Sequence, residues 1–440
     1  MTSILELFNH YLTLYIVFPM LFALGLYFSA RLRFIQFSKI KIGIKELLKK
    51  SDPDEEGSIS NFEALSAVLA GNLGTGNISG MAVALVTGGP GSLIWMWFMA
   101  SLGAIIKFAG CFLSLKYRMK SSAGEYVGGP MYYLSKGLRL KKVAIAFSVF
   151  AMIAAFTVGN FVQVNSMMLP LTKLGISPIL VISCLIICVA AVLLGGIQRL
   201  AKVVSTMVPV MTCVYLLTAL IILFIFRAHV LGAFSLIFKS SFTFSSAAGG
   251  AIGLGLSRAV SAGFERGIFA TDAGCGIAPI LQAGARCKNP FLEGVVGMIA
   301  PFIVMIICTI TTLVLIVTGA WQTSGEFSTN MCTWAFETGL GHVIGKYIVI
   351  VSLTLFAFTT IITWAYCGEK ACEYLFSQRA IKKFKYIYIL MLPFGAFSYT
   401  HTVWILADAS IALMVVMNLI GLIGHSSKVI EETKEHLSLS

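Results

Sequence analysis

Charged residues are scarce in this chain. Asp, Glu, Lys and Arg make up 12% of the 440 residues, whereas hydrophobic residues make up 58%, and the mean hydropathy is +0.90. No soluble domain has this balance, because a soluble fold needs far more polar surface. The composition therefore predicts an all-α polytopic membrane protein, in which every backbone polar group is satisfied within helices.

Patterns that would indicate catalysis or a bound metal are also missing from the sequence. The ten cysteines include no C-x-x-C pair, so neither a disulfide framework nor a metal site is supported. The histidines lie near loops or helix ends, without a paired nucleophile. A membrane-embedded enzyme would need facing carboxylates, a histidine cluster or a Ser/Lys pair, so we expect no enzyme and no cofactor.

Apolar segments long enough to cross a bilayer recur along the whole chain. A helix needs about 20 apolar residues to span the hydrocarbon core. About eleven segments meet this length: 11–31, 62–86, 92–117, 143–170, 177–197, 203–226, 247–268, 291–319, 344–366, 384–400 and 402–424. The first has too few basic residues at its start, and is too long, for a cleaved signal peptide.

The net charge of +13 is concentrated on one side of these predicted spans. Lys and Arg cluster at residues 31–50, 116–142 and 379–385, whereas the opposite loops hold few of them. Such a bias marks cytoplasmic loops. It predicts a multi-pass protein of the plasma (inner) membrane with its N-terminus outside and its C-terminus in the cytoplasm. The basic balance then requires no nucleic-acid partner.

The stretch Gly71–Gly80, with the sequence GNLGTGNISG, lies inside the second apolar segment. It holds four glycines and two asparagines in ten residues, and each glycine inside a helix costs about 1 kcal/mol relative to alanine. Unwound backbone at membrane depth is tolerated where it is buried in protein or lines a cavity. We therefore predict a broken helix here; the alternative is close packing of small residues between helices.

A second glycine-rich interruption occurs at Ser245–Gly255, in the seventh apolar segment. The two interrupted segments are the first spans of two halves of five spans each, and they run in opposite directions. Broken helices at matching positions of an inverted repeat indicate the central site of a transporter. The predicted organisation is an N-terminal helix and amphipathic segment (1–50), a first repeat (62–226), a second repeat (247–424) and a cytoplasmic tail (425–440).

The first interruption offers two kinds of ligand-binding group. Helix N-terminal amides near Thr75, Gly76 and Asn77 attract an anion, and the carbonyls of residues 71–73 are oxygen ligands for a cation. No charged residue lies between positions 64 and 106. A site of neutral dipoles suits a zwitterion with no net charge, together with an alkali ion that organises the broken helix.

Polar residues on two other predicted helices point to the same site. Asn160 and Gln163 are three residues apart and share a helix face; they either line a cavity or form interhelical hydrogen bonds. Thr359, Thr360 and Thr363 form one polar stripe beside Trp364. The hydroxyl groups of Thr359 and Thr360 could complete the shell of an alkali ion. Threonine hydroxyls also bond back to their own helix, which is the structural alternative.

Three carboxylates lie in or beside the predicted spans of the second half. Glu369 and Glu373 are one turn apart, and we expect them to pair with Lys370 or with the basic cluster at 379–385. Asp408 lies inside the last span, where an ionisable residue is expensive. We expect it to form a structural or gating ion pair, and a proton relay is the alternative.

Six blocks of the sequence resemble the alanine or glycine:cation symporter family. They are Ala70–Gly80, Gly88–Trp97, Gly124–Tyr133, Gly159–Ser166, Gly267–Pro279 and Phe356–Glu369. The similarity extends over roughly residues 62–424, and the blocks together are highly specific. The first block also resembles, more loosely, the broken first core helix of neurotransmitter:sodium symporters.

The resemblance implies sodium-driven uptake of alanine or glycine through a five-plus-five inverted-repeat core with one extra N-terminal helix. It implies a substrate site at the following residues: Thr75, Gly76, Asn77, Gln163, Gly249, Gly250, Ala251, Thr360 and Trp364. It implies a sodium site at Gly71, Leu73, Thr359 and Thr360. Sodium is then the coupling ion, and the expected partners are a small amino acid, sodium and the lipid bilayer, without an obligate protein partner.

The chain departs from the family pattern at two positions. Ala251 stands where the family usually has Phe, which predicts a wider pocket and weakens the case for strict alanine or glycine selectivity. Asp272 stands in a Thr-Asp-Ala-Gly sequence where relatives have Asn-Glu-Ala-Gly, so the carboxylate is carried on a shorter side chain. Sodium-coupled symport remains the first hypothesis; a proton-coupled or broader neutral amino-acid carrier is the alternative, and a channel is less favoured.

Overall fold

Helices form almost all of the computed structural model, which describes residues 2–49, 56–122, 124–242 and 252–439. The N-terminal part comprises α1 (Thr2–Leu12), a π-helical turn (Thr13–Val17), α2 (Phe18–Arg31), α3 (Ile35–Ser38) and α4 (Ile40–Leu48). Together α1, the turn and α2 form the first span. The chain turns at Phe34, whose φ of 54° is left-handed, and enters the short amphipathic helix α4.

The first half of the core contains the first interrupted helix and four spans that follow it. Its elements are α5 (Asn61–Asn72), a 3-10 turn (Thr75–Asn77), α6 (Ser79–Gly88), α7 (Ser92–Lys116), β1 (Met119–Lys120), β2 (Tyr126–Val127), α8 (Pro130–Tyr132), a π-helical turn (Tyr133–Gly137), α9 (Lys141–Phe156), a π-helical stretch (Thr157–Val162), α10 (Gln163–Lys173), α11 (Pro178–Leu193), α12 (Gly196–Ile225) and α13 (Arg227–Phe242). The strands pair antiparallel, with Met119 opposite Val127.

The second half repeats this arrangement and ends in a helix after the last span. Its elements are α14 (Ile252–Thr271), α15 (Ile277–Gln282), α16 (Pro290–Gly297), α17 (Ile299–Val317), α18 (Ala320–Thr323), α19 (Thr329–Leu340), α20 (His342–Phe376), α21 (Arg379–Leu390), α22 (Leu392–Phe397), α23 (Thr400–Gly424) and α24 (Ser426–Leu439).

The number of spans agrees with the sequence-based prediction. Within the described ranges, seven helices or merged helices are long and apolar enough to cross a membrane. Four further spans are short or interrupted: α5 with α6, α11, α14 with α15, and α21 with α22. The described part of the chain therefore contains eleven spans, with one helix before a core of five plus five. Helices α13 and α19, which connect spans, were not predicted.

The two interrupted helices lie side by side in opposite directions. Helix α5, which precedes the first interruption, packs on α15, which follows the second; α6 packs on α14. This crossed pattern of contacts requires the two helices to be antiparallel. It confirms the inverted five-plus-five core with two discontinuous helices.

The structure shows a helix interruption in the second half that the sequence did not predict, at Asp272–Gly276. Residues 243–251, which carry most of the predicted segment Ser245–Gly255, lie outside the described residues, and the helix is unbroken from Ile252 to Thr271. The interruption comes afterwards, at Asp272–Gly276. Three residues there have left-handed backbones, with φ of 47° at Asp272, 77° at Gly274 and 86° at Gly276, and such conformations end an α-helix.

Candidate functional site

The first helix break, defined as Leu73–Ile78, lies at the centre of the molecule. Helix α5 ends at Asn72, Gly74 is extended with φ of −93° and ψ of −168°, and α6 begins at Ser79. All residues from Gly71 to Gly80 are buried. The Asn77 side chain donates to the Asn72 carbonyl and so bridges the gap. The predicted break is therefore confirmed, and simple packing of an intact helix is excluded.

Gln163 holds the first helix break from the opposite side. Its Oε1 accepts from the backbone N–H of Thr75 at 3.1 Å and from the Thr75 hydroxyl at 3.1 Å. Its Nε2 donates to the Val158 carbonyl at 3.1 Å, within the π-helical stretch. The wider π-helical turn frees carbonyl groups from the regular helix pattern. The sequence-predicted pair of Thr75 and Gln163 is thus in direct contact.

Gly74 allows two polar side chains to approach the first helix break. A Cβ atom placed on this residue would lie 3.0 Å from Gln163 Oε1 and 3.1 Å from Thr360 Oγ1. Glycine therefore permits both side chains to approach the bare backbone. Gly74 belongs to the predicted motif Gly71–Gly80 without a predicted role of its own, and its position between Gln163 and Thr360 makes it a member of the site.

The three threonines of α20, Thr359, Thr360 and Thr363, face two different helices, α5 and α12. The Thr360 hydroxyl donates to the Ala70 carbonyl at 2.8 Å, at the end of α5. Thr363 also faces α5, because its Cγ2 would lie 3.3 Å from a Cβ on Gly71. The Thr359 hydroxyl instead donates to the Phe356 carbonyl at 3.1 Å and lies 3.9 Å from the Met211 sulfur on α12. Thr360 therefore reaches the end of α5, whereas Thr359 is turned towards α12.

Trp364 and Gly159 fix the distance between α20 and the π-helical stretch. Trp364 is fully buried, and its Cγ would lie only 2.7 Å from a Cβ on Gly159. Glycine is required by this close approach. The Trp364 side chain is thus buried against the π-helical stretch that precedes Gln163.

Asn160, whose side chain donates to the Tyr388 carbonyl at 2.9 Å, forms the interhelical hydrogen bond that was one of its two predicted roles. Two other buried polar atoms, next to the break, lack a partner among the described residues: Asn72 Oδ1 and Thr363 Oγ1. A buried polar atom left unpaired is costly, and natural proteins keep such atoms mainly where a ligand, ion or water completes the contacts. These oxygens, with the carbonyl end of α5, form a neutral oxygen-rich lining that can hold an alkali cation and the ammonium group of a zwitterion.

The second half of the protein closes the site through α14. Asn72 Nδ2 donates to the Thr271 carbonyl at 3.2 Å, at the last residue of α14. The Phe269 ring covers Gly76, where a Cβ would lie 2.7 Å from its Cε1. Phe269 was missed by the sequence analysis, although it lies within one of the motif blocks. The predicted contacts Gly249, Gly250 and Ala251 lie outside the described residues.

A cavity of about 230 Å³ lies on the far side of Phe269. There Arg266 Nη2 lies 3.6 Å from Asp408 Oδ2, so the predicted ion pair of Asp408 is confirmed. The Arg266 guanidinium also lies 5.8 Å from the centre of the Phe269 ring and 5.6 Å from that of Trp404. Arg266, Asp408 and Phe269 line this cavity, and Phe269 also contacts Gly76 of the first helix break.

A second charged cluster lies near the C-terminal end of α20. Lys370 Nζ lies 2.7 Å from Glu125 and 2.9 Å from Glu373. Lys385 Nζ lies 3.1 Å from Glu369. The predicted pairing of Glu369 and Glu373 is therefore confirmed. Glu125, from the loop between β1 and β2, ties that loop to α20 beside a cavity of about 370 Å³.

Comparison with known proteins places this architecture in a family. The model of the sodium:alanine symporter family matches residues 1–439. The sodium/alanine symporter AgcS of Methanococcus maripaludis is 38% identical over 423 residues, which cover 94% of this chain and 92% of that protein. The probable sodium/glutamine symporter GlnT of Bacillus subtilis is 31% identical over 422 residues, covering 95% of this chain and 87% of that protein.

A solved structure supports the fold independently of sequence. The crystal structure of a mutant of the Eremococcus coleocola manganese transporter matches with a TM-score of 0.55 at 13% identity, covering 85% of this chain and 81% of that chain. At this identity the match speaks to the arrangement of helices alone.

Proposed function

Because the chain belongs to the sodium:alanine symporter family, we propose that it carries small neutral amino acids into the cell together with sodium. The family consists of secondary active, sodium-coupled amino-acid transporters rather than enzymes. The proposed substrates are alanine and glycine, with D-alanine as a further candidate. The plasma membrane is the proposed location, with the N-terminus outside and the C-terminus in the cytoplasm.

One observation carries the proposal: the first helix break is buried, free of charged side chains and lined by unpaired polar atoms. A zwitterion brings both a carboxylate and an ammonium group, so its net charge is zero. Backbone amides at Thr75, Gly76 and Asn77 suit the carboxylate, because a helix N-terminus attracts negative charge. Oxygen atoms of Gln163 and Asn72 suit the ammonium group.

The proposed sodium site lies at the carbonyl end of α5. It comprises the carbonyls of Gly71 and Leu73 with the Thr360 hydroxyl, which now holds the neighbouring Ala70 carbonyl at 2.8 Å. Thr359 joins this shell after its hydroxyl turns away from Phe356. Bound sodium would fix the end of α5 and so order the Thr75 amide for the substrate, which is the physical basis of coupling.

The space available favours a small side chain. Phe269 packs on Gly76, and Trp364 packs on Gly159, so both bulky rings press on glycine backbone at the site. Gly249, Gly250 and Ala251 complete the proposed pocket. Alanine and glycine place at most a methyl group in this space.

Alternating access would use the two charged clusters as barriers on opposite sides of the site. Arg266 with Asp408 stands on the Phe269 side, and Lys370 with Glu125 stands at the end of α20. Opening one barrier while the other stays closed exposes the first helix break to one compartment at a time.

The decisive experiment uses purified protein in sealed vesicles. An inward sodium gradient is imposed, and uptake of labelled alanine and glycine is compared with uptake in a choline gradient. We expect accumulation above the outside concentration in sodium alone. Uptake that ignores sodium and follows an imposed pH gradient would support a proton-coupled carrier, and uptake that runs only downhill would support a channel.

A broader neutral amino-acid carrier is the second candidate, favoured by one observation. A relative 31% identical over most of both chains is named a probable sodium/glutamine symporter, so members of this family differ in substrate size. Competition of labelled alanine uptake by a panel of L- and D-amino acids separates the candidates. Competition confined to alanine and glycine enantiomers supports the narrow substrate range, and equal competition by glutamine supports the broad one.

A further inference from the structure

The second helix break, defined as Asp272–Gly276, contains a buried carboxylate that the proposed binding site does not use. Asp272 is 4% exposed and directly follows α14. Its φ of 47° is left-handed, a conformation that few residues other than glycine adopt and that Asp tolerates better than most.

A buried lysine from α7 lies beside this break. Lys107 is 3% exposed and stands in the middle of α7. A charged side chain at this depth is expensive and normally faces a partner inside the protein. The helix also shows which partner it faces, because glycines on either side of Lys107 mark the line of contact.

Two close approaches place Lys107 between the half-helices α14 and α15. A Cβ on Gly103 would lie 2.7 Å from Ala273 Cβ, and a Cβ on Gly110 would lie 2.8 Å from Pro279 Cγ. Gly103 is one turn before Lys107 and Gly110 nearly one turn after it, so all three share a helix face. Ala273 belongs to the second helix break and Pro279 to α15.

Lys107 and Asp272 line one small cavity at this place. Its volume is about 10 Å³, which is at the lower limit for a single water molecule. The Lys107 ammonium and Asp272 Oδ2 lack hydrogen-bond partners among the described residues. Each group is therefore the natural counter-charge of the other in a nearly dry space.

We propose that Lys107 and Asp272 form a charge pair that positions the second helix break for transport. The ammonium group supplies, from a side chain tethered to α7, the positive charge that attracts the C-terminal end of α14. It also balances the Asp272 carboxylate. Lys107 is thus a positioning residue, and this role rests on the proposed function of the protein as a symporter.

The pair acts on the first helix break through one hydrogen bond. Thr271, the residue before Asp272, offers the carbonyl that accepts from Asn72 Nδ2 at 3.2 Å. Asn72 in turn ends α5, next to the proposed sodium carbonyls of Gly71 and Leu73. A shift of Asp272 therefore moves Thr271 and loosens the end of α5, so the pair sets sodium affinity from a distance.

The first test is a double-mutant cycle on vesicle uptake. Lys107→Met and Asp272→Asn each leave one buried charge unpaired, whereas the double variant leaves none. We expect each single variant to raise the sodium concentration for half-maximal uptake about tenfold, and the double variant to recover most of the loss. Lys107→Arg and Asp272→Glu preserve charge and should retain sodium affinity within about threefold. Lys120→Met, at an exposed lysine, is the matched control.

The second test asks whether the effect passes through Asn72. Lys107→Met is combined with Asn72→Ala, and half-maximal sodium is measured again. We expect Lys107→Met to add little once Asn72 is gone, because both changes break the same connection. Purely additive effects, or a double Lys107→Met/Asp272→Asn variant no better than the worse single one, would overturn the proposal.

A binding measurement separates this proposal from the proposed function. Thermal unfolding of the purified variants is followed in sodium chloride and in choline chloride, and it needs no transport. If the native protein fails to accumulate alanine, the proposed function is wrong. The unfolding midpoints of the Lys107 and Asp272 single and double variants then still test whether the two residues form a charge pair. If alanine uptake is normal and the two substitutions act independently in both assays, only the pair proposal falls.

Discussion

The two helix breaks serve the same topological place in their halves but are held by different forces. The first is neutral: Gln163 and Thr360 reach it with hydrogen bonds of 3.1 Å and 2.8 Å. The second contains left-handed backbone at Asp272 and Gly276 beside the buried Lys107. A neutral break can exchange its side-chain contacts for those of a ligand, whereas the second break depends on backbone shape and paired charge.

This difference implies that the first break binds the ligands and that the second break maintains the structure of the site. Hydrogen bonds between neutral groups contribute about 1 kcal/mol each, so a small ligand can replace them at little cost. Breaking a buried charge pair costs several kcal/mol. We therefore expect changes in the first break to alter binding and changes in the second to alter folding or the position of the whole site.

The largest expected effect is that of Gly276→Ala in the second break. The new Cβ would lie 2.5 Å from Pro130 Cγ and 3.0 Å from Phe147 Cζ, at a φ of +86°. A left-handed alanine alone costs roughly 1–2 kcal/mol, and the contacts add to it. We expect poor yield of folded protein and a clearly lower midpoint of thermal unfolding. A fully stable Gly276→Ala protein would show that the second break tolerates a change of shape.

Gln163→Ala tests the first break in the same way. It removes the acceptor for the Thr75 N–H and hydroxyl, and buried donors left unpaired cost about 1–3 kcal/mol. We expect alanine affinity to fall roughly tenfold to a hundredfold, while the protein stays folded with a somewhat lower midpoint of thermal unfolding. Binding is measured by competition with labelled substrate on purified protein. Unchanged affinity would remove Gln163 from the substrate site.

Thr360→Val probes the sodium side of the first break with a residue of nearly equal volume. The variant lacks the hydroxyl that reaches Ala70, so the proposed cation shell loses one ligand. We expect half-maximal uptake to require about tenfold more sodium, with alanine affinity at saturating sodium little changed. A normal sodium response would discredit Thr360 as a ligand.

The smallest expected effect is that of Gly74→Ala, for which Gly80→Ala is the matched control. A Cβ on Gly74 would crowd Gln163 and Thr360 at 3.0–3.1 Å, whereas nothing lies within 4 Å of a Cβ on Gly80. We expect Gly74→Ala to raise the KM for alanine about fivefold by displacing Gln163. Gly80→Ala should leave uptake unchanged. Equal behaviour of the two variants would contradict the crowding at Gly74.

Residue composition predicted the first break but not the second break at Asp272–Gly276. In Gly71–Gly80, glycine and asparagine occur together, and asparagine side chains compete for backbone groups. In the second half, the glycine-rich segment Ser245–Gly255 was predicted to interrupt the helix, yet its residues Gly253 and Gly255 are helical. The stronger sign of a helix break was the pair Gly274 and Gly276, which closely follows Asp272. Both glycines have left-handed backbone, which ends a helix, whereas glycine content alone only weakens one.

Side-chain directions at the site were only partly accessible from the sequence. The spacing of Thr359, Thr360 and Thr363 predicted a polar stripe, but the spacing could not tell which threonine faces α5 and which faces α12. Phe269 looked like an ordinary apolar residue, since nothing local indicates that its ring covers Gly76. Such contacts depend on how the two halves pack, and that packing involves residues far apart in the chain.

The central claim is that sodium organises the first helix break for the amino acid. Alanine binding to the purified native protein, measured by calorimetry at stepwise sodium concentrations with choline keeping ionic strength constant, tests this most directly. The account predicts that alanine affinity rises steadily with sodium and that Thr360→Val shifts the rise to higher sodium. Equal alanine affinity in sodium and in choline would contradict it.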